Sequence, residues 1–318
     1  MIARLDGAGC RGCAFEHNIP QAATLTLPGV QTRIRLAVAL TWAAGAALTM
    51  NPSADAGDRL EWTGAVTQIE GAAGGGLVPW ALIGGLGTDT EIGATGFVTH
   101  VSTQDFSLGS GGASLDIDDR VEISAARQRF DAASVIPGLT LGQDIVGLKV
   151  RLAGDAVFEP DHWWPQVALG AQWKRTLDFD GIPREVGAAR GEDVDLYLAA
   201  TKVYFAALDG RNVIVDLTLR RTRANQFGLL GFGGDGSGYS LKPEVSAAVW
   251  MTDEVLLGAE YRDKPNNLAN LREDGAEDVF LAWAPVKNLT FTGAWSDLGR
   301  IAGKAAQRGV YLSVWLGY

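Results

Sequence analysis

From residue 59 to the last residue, apolar and polar positions alternate in runs of about 9 to 12, close to the strand length that crosses a bilayer at a tilt. The final run, Gln307 to Tyr318, shows the pattern most fully. Val310, Leu312, Val314, Leu316 and Tyr318 share one parity, and Gly309, Tyr311, Ser313, Trp315 and Gly317 share the other. Successive side chains of a strand point to opposite faces, so one face of this segment is wholly apolar. Middle segments carry charge on the second face. Val146, Leu148, Val150 and Leu152 oppose Lys149 and Arg151, and Val213, Val215, Leu217 and Leu219 oppose Asp216, Thr218 and Arg220. Val167, Leu169, Ala171 and Trp173 oppose Gln166, Gln172 and Lys174, while Val255, Leu257, Ala259 and Tyr261 oppose Glu260 and Arg262. An Arg facing lipid at mid-membrane costs about 2–4 kcal/mol, so the charged parity must face a lumen.

The expected fold is therefore all-β, a transmembrane antiparallel up-and-down β-barrel. Fourteen segments fit: 59–69, 77–86, 90–101, 106–116, 119–130, 143–153, 165–175, 193–205, 212–222, 241–251, 254–263, 276–284, 288–297 and 307–318. The first two are the weakest, and twelve strands remain if they fold elsewhere; either number is even, as single-chain bacterial barrels require. In 193–205, Leu196 and Leu198 share a parity but Val203 and Phe205 take the other, which a β-bulge near Ala200 would reconcile. Connections alternate in length. Asp118-Asp119, Thr252-Asp253 and Pro285-Val286-Lys287 are tight, whereas 131–142, 176–192, 223–240, 264–275 and 298–306 are long and polar. Outer-membrane barrels keep short turns in the periplasm and long loops outside. Counting back from Tyr318 places all five long loops outside, with 154–164 as the exception. Trp62, Trp80, Trp163, Trp164, Trp250, Trp283, Trp295 and Trp315 mostly fall near segment ends, where aromatic girdles sit.

Ahead of these segments, Arg33 and Arg35 precede an apolar run from Leu36 to Met50, and Ala54-Asp55-Ala56 follows. This reads as a signal peptide over 30–56, cleaved after Ala56. Residues 1–29 then read as an extension, either from a start set too early or as part of an unusually long leader, and 57–318 as the barrel. The net charge of −10 offers no basic stripe for nucleic acid.

The inward-facing inventory by parity is Glu122, Lys149, Arg151, Gln166, Gln172, Lys174, Asp195, Asp216, Arg220, Glu244, Glu260, Arg262 and Asp278. These residues are the expected pore lining, since rings of charged side chains filter solutes in channels. A salt-bridged filling of a sealed barrel uses the same residues. The Gly-rich segment from Gly71 to Trp80 is not a phosphate loop, because no Gly-Lys-Ser/Thr follows; it reads as a flexible loop or as a segment tucked into the lumen. His100 and His162 are isolated in sequence, so no catalytic residue, metal site or cofactor is expected. Tyr318, Leu316, Val314 and Leu312 form the expected membrane-assembly signal, whose partner is the barrel-assembly machinery; outer-membrane lipid is the other expected partner, and an envelope or export partner stays open.

Several stretches resemble the proteobacterial family catalogued as domain of unknown function 3034. They are Gln68 to Gly76, Val78 to Leu82, Ala126 to Asp131, Gln143 to Arg151, Ala224 to Asp235 and Glu260 to Pro265. The resemblance covers nearly all of 57–318 and implies a secreted outer-membrane protein, with no activity or catalytic residues attached. The leading expectation is a narrow passive channel or transporter for a small solute, and the alternative is a structural or partner-binding barrel. A membrane-embedded lipid-modifying enzyme is the weakest reading.

Overall fold

A computed structural model describes Trp62 and residues 66–158, 162–235 and 238–318. The expected extension 1–29 and signal peptide 30–56 lie outside the described residues. Twelve strands form the wall: β1 (Ile92–Thr103), β2 (Ser107–Ile117), β3 (Val121–Asp131), β4 (Thr140–Ala153), β5 (Gln166–Thr176), β6 (Glu192–Leu208), β7 (Arg211–Thr222), β8 (Ser240–Thr252), β9 (Val255–Arg262), β10 (Ala276–Val286), β11 (Leu289–Asp297) and β12 (Arg308–Gly317). Each pairs antiparallel with its sequence neighbour, and β1 pairs with β12 to close the barrel. Tyr318 seals the seam by exchanging two 2.8 Å backbone hydrogen bonds with Ala94. Closure leaves no unpaired edge, which lets a sheet sit in hydrocarbon.

Burial follows the parity of the sequence. In β3 and β7, buried and exposed residues alternate over most of the strand. The exposed set is greasy: Leu148, Leu169, Leu198, Leu217, Leu281 and Leu312 all point outward. The buried set carries the charge, including Lys149, Lys174, Asp195, Arg220 and Glu244, beside apolar residues such as Val101, Phe130, Leu141 and Phe280. An apolar exterior around a polar interior is the signature of a membrane barrel, because lipid, not water, meets the outer face. The tight β2–β3, β6–β7, β8–β9 and β10–β11 turns lie at the end where β12 finishes, together with the longer β4–β5 connection; the five long loops lie at the other, with the short β1–β2 turn. That end is the outer one.

The structure corrects three expectations. The strand number is twelve, the alternative to fourteen, because 77–86 and the described part of 59–69 are not wall strands. Every residue from Val66 to Leu86 is buried, and the segment makes only isolated bridges with itself, Thr67↔Ala73 and Gly74↔Pro79. Four glycines in 71–76 and apolar residues on both parities give it no lipid face and no strand-like stiffness. The irregularity in β6 does not fall near Ala200. Its register with β5 is unbroken from Glu192 to Thr201, and the shift lies between Tyr204 and Leu208, where Ala206 has φ +52°. There β6 has outrun β5, and the Val203 amide donates instead to the Ala156 carbonyl of the long β4–β5 connection. Finally, Trp62, Trp80 and Trp315 are buried inside, not placed in a girdle; Trp163, Trp164, Trp283 and Trp295 are exposed.

Candidate functional site

The site is the lumen, and the chain fills it with its own residues. The segment 66–86, here termed the plug, cannot satisfy its backbone through sheet pairing, so side chains of the wall do so. Ser110 and Gln128 donate to the Ile69 carbonyl at 2.6 and 2.8 Å. The amides of Ala73 and Gly84 donate to the two oxygens of Glu122 at 3.1 and 2.8 Å. Lys149 Nζ donates to the Ala73 and Leu82 carbonyls and to Glu122, at 2.9, 2.8 and 3.0 Å. Farther round, the Ala81 amide donates to Thr201, Gln166 to the Ala81 carbonyl, Thr218 to the Pro79 carbonyl, and the Leu77 amide to Glu260 at 2.6 Å. Glycine is required where plug meets wall: a Cβ on Gly75 would overlap the Glu260 carboxylate.

At the outer end of the plug lies a belt of charge. Lys174 on β5, Asp195 on β6, Arg220 on β7, Glu244 on β8 and Arg262 on β9 alternate in sign over five consecutive strands. Lys174 pairs with Asp195 at 2.8 Å, Arg220 with Glu244 at 2.5 Å, and Arg262 with Glu244 at 3.2 Å. Glu70 of the plug enters this belt. Its Oε1 receives Lys174 at 2.5 Å; its Oε2 lies 3.0 Å from Arg262 Nη2 and 4.0 Å from Arg220 Nη1. Arg220 also stacks over Tyr197 and donates to Gln172 at 2.7 Å. Arg262 stacks over Phe227, 4.4 Å from its centroid.

Phe227 belongs to a second occluding element, the β7–β8 loop, which folds inward as a cap. Asn225 to Phe232 are buried, and Gln226 and Phe227 adopt left-handed φ of +46° and +60°. Asn225 Nδ2 donates to the Gly233 carbonyl at 2.9 Å, and Phe232 bridges Arg190 of the β5–β6 loop. That loop also carries a one-turn helix, α1 (Ile182–Glu185). In the β9–β10 loop, both Glu273 oxygens accept the Gln226 amide at 3.0 Å, with Lys264 Nζ 3.9 Å away. Burial pushes the Glu273 carboxyl up to about 7 although Lys264 and the Gln226 amide favour its charged form. Between plug and cap remains a cavity of about 30 Å³, lined by Ile69, Leu77, Val101, Leu108, Phe130 and Tyr311 among others.

Of the residues expected to face inward, Glu122, Lys149, Gln166, Gln172, Lys174, Asp195, Asp216, Arg220, Glu244, Glu260, Arg262 and Asp278 do so, each at most 4% exposed. They meet the plug and one another instead of open water. Arg151 stands apart at the periplasmic rim, half-buried, bound to Asp119 at 2.7 Å and Asp155 at 2.8 Å. The Phe158 and Val157 amides and Arg151 together outweigh burial and hold the Asp155 carboxyl below the usual carboxylate range. Leu312, Val314 and Leu316 lie in register with His100, Val98 and Gly96 of β1 along the closing seam. Sequence reasoning missed Glu70, the centre of the belt; its one signal was a lone acid in an otherwise apolar, Gly-rich run. Among the described residues, no group of three or more His, Cys, Asp and Glu side chains is placed to hold a metal ion.

A closed barrel with a greasy exterior, a charged interior and an inserted plug defines an outer-membrane β-barrel protein. The chain belongs to the family described as "Protein of unknown function (DUF3034)", which it matches over residues 63–315. No curated protein matches the chain. Among solved structures it is similar to the NanC porin, at 9% identity and TM-score 0.43, over 72% of this chain and 99% of that one. It is likewise similar to the KdgM porin, at 11% identity and TM-score 0.42, over 70% and 98%. The outer-membrane protein Omp33 of Acinetobacter baumannii gives 10% identity and TM-score 0.40, over 72% and 98%.

Proposed function

We propose that the protein is a gated outer-membrane channel for a small polar solute, held closed by residues 66–86. The observation that carries this reading is the polarity of the plug–wall contact. A filling meant to be permanent gains most from apolar packing, since a buried ion pair is often no more stabilising than the hydrophobic residues that could replace it. Here Lys149, Lys174, Arg220 and Arg262 instead grip the plug through charges and hydrogen bonds. The charged part of that wall regains water once the plug leaves, whereas Val101, Leu108, Phe130, Leu256 and Phe280, which pack against Ile69, Leu77, Val78 and Leu82 of the plug, lose apolar contact; the passage is water-filled along its charged side. The pore-lining role of the inward residues follows from this state, with Lys174, Arg220 and Arg262 at the constriction. The closing strand β12, ending at Tyr318, acts as the signal read by the barrel-assembly machinery.

Planar bilayers test the gate. Purified wild-type protein should be mostly silent, and deletion of residues 66–86 should give discrete conductance steps. A deletion variant that inserts as a folded barrel yet stays silent at all voltages would count against a channel and for a purely structural barrel.

A further inference from the structure

The wall side of the belt is not neutral. Among the described residues, Lys174, Arg220 and Arg262 have Asp195 and Glu244 as their paired wall acids, so one positive charge remains, and the plug's Glu70 supplies the matching negative one. We infer that the belt is a carboxylate-binding site which Glu70 occupies in the closed barrel, and that the transported solute is a small monocarboxylate with an apolar body. The inference rests on the plugged-channel reading above.

The cations are fixed by contacts that do not involve Glu70. Arg220 is held by Glu244 through Nε and Nη2, by Gln172 through Nη1 and by the Tyr197 ring. Arg262 is held by Glu244 and Phe227, and Lys174 by Asp195. Donors arranged in advance lose little freedom when a ligand arrives, which favours a replacement carboxylate. Each Glu70 oxygen already meets different donors: Lys174 on Oε1, Arg262 and Gln68 on Oε2.

Two neighbouring features narrow the class. Glu260 and Asp278 stand opposite one another in register on β9 and β10. Both Asp278 oxygens lack a hydrogen-bond partner, and among the described residues neither side chain has a cation at ion-pair distance. Neither residue offers a cation to a second carboxylate, which would be buried there without a partner, so one carboxylate is accepted and two are not. The apolar cavity adjoins the belt through Ile69, the residue beside Glu70. In the plug, then, a carboxylate sits next to an aliphatic side chain, and the solute reproduces that pair. Because the solute takes the place of Glu70, it binds only the open state, and opening rises with its concentration.

The test uses the full chain in planar bilayers, with benzoate as probe, benzamide as its neutral isostere and phthalate as the dicarboxylate. Millimolar benzoate should raise the open probability of wild type by about tenfold, with benzamide and phthalate inactive. Glu70→Gln should open without ligand, and benzoate should then reduce its chloride current instead of raising opening. Lys174→Met in that background should abolish the reduction. If both Glu70→Gln and the 66–86 deletion fold and stay silent, the channel reading falls and takes the inference with it. If they conduct, but benzoate acts no differently from benzamide on wild type, the carboxylate site is overturned while the channel stands. The wild-type arm needs no substitution, so the benzoate–benzamide contrast decides for or against the carboxylate site even where a variant fails to fold.

Discussion

Two strand-free segments fill the barrel, and they are held in different ways. The plug, 66–86, is gripped by the wall: Glu122, Lys149, Thr201, Thr218 and Glu260 bind its backbone, and Lys174 and Arg262 bind its one acid. The cap, 224–233, is gripped by other loops as well as by the wall: Phe232 bridges Arg190, Gln226 binds Glu273 and the Arg300 carbonyl, and Asn267 donates to Asn225, while Gln143 and Thr176 of the wall donate to the Phe227 and Gly228 carbonyls. A segment bound through the wall leaves an intact polar lining when it goes. A segment bound through other loops takes its partners with it or stays. On the channel reading proposed above, movement falls to the plug and positioning to the cap, which among the described residues reaches the belt through Phe227.

Breaking the plug's charge should have the largest effect. Glu70→Ala leaves buried cations in excess, and loss of one partner of a buried pair costs about 3–5 kcal/mol. Hydrogen exchange should then show the amides of 66–86 losing protection while β3 and β7 keep theirs; coincident loss in the wall would erase the distinction between the two segments. Phe232→Ala, which empties a fully buried site, is expected to cost about 3–5 kcal/mol but to loosen the cap and the β5–β6 loop with the plug left docked. Proteolysis confined to the outer loops is the readout. Lys149→Met removes three hydrogen bonds to one ammonium and strands Glu122; a penalty of about 1.5–3 kcal/mol on plug docking is expected from charged hydrogen bonds, again visible in the 66–86 amides. Gly75→Ala forces the Glu260 carboxylate aside, and about 1–3 kcal/mol of overpacking should raise the open probability without ligand above that of wild type.

The smallest effect is in the cap and follows pH. The Glu273 carboxyl lies at about 7, above its ordinary 4.5, so the folded cap binds more protons than the opened one between those values. Its contribution to cap stability is fully present below pH 4.5 and is lost as pH rises through 7. Exchange at the Gln226 amide, corrected for intrinsic rate, should therefore reveal easier opening at pH 8 than at pH 5. Glu273→Gln should flatten that dependence and leave the plug amides unchanged.

Much of the wall was legible in advance because a strand's two-residue period is local. The parity of Lys149, Arg220 and Glu260 fixed which way each points, whatever its distant neighbours are. Arg151 obeyed the same rule but sits at the rim, where a turn's geometry, not parity, decides its partners. The apparent parity conflict between Leu198 and Val203 is no irregularity, since Leu198 faces out and Val203 faces in on an unbroken register; the actual shift lies beyond Tyr204, where β6 has outrun β5, whose extent is set in another segment. The plug's sequence fits a flexible loop, a segment tucked into the lumen or two strands, and no local pattern chooses between them.

The alternating chain by itself determined a closed sheet with a lipid-facing exterior and a charged interior, since each strand's faces are set by residues two apart. Only the tertiary structure decided what the interior charges do. Glu70 and Lys174 are 104 residues apart, and their contact exists because closing twelve strands brings the belt to the height at which the plug enters. A lumen's contents depend on its width and on every wall residue at once, and no stretch of sequence carries that information alone.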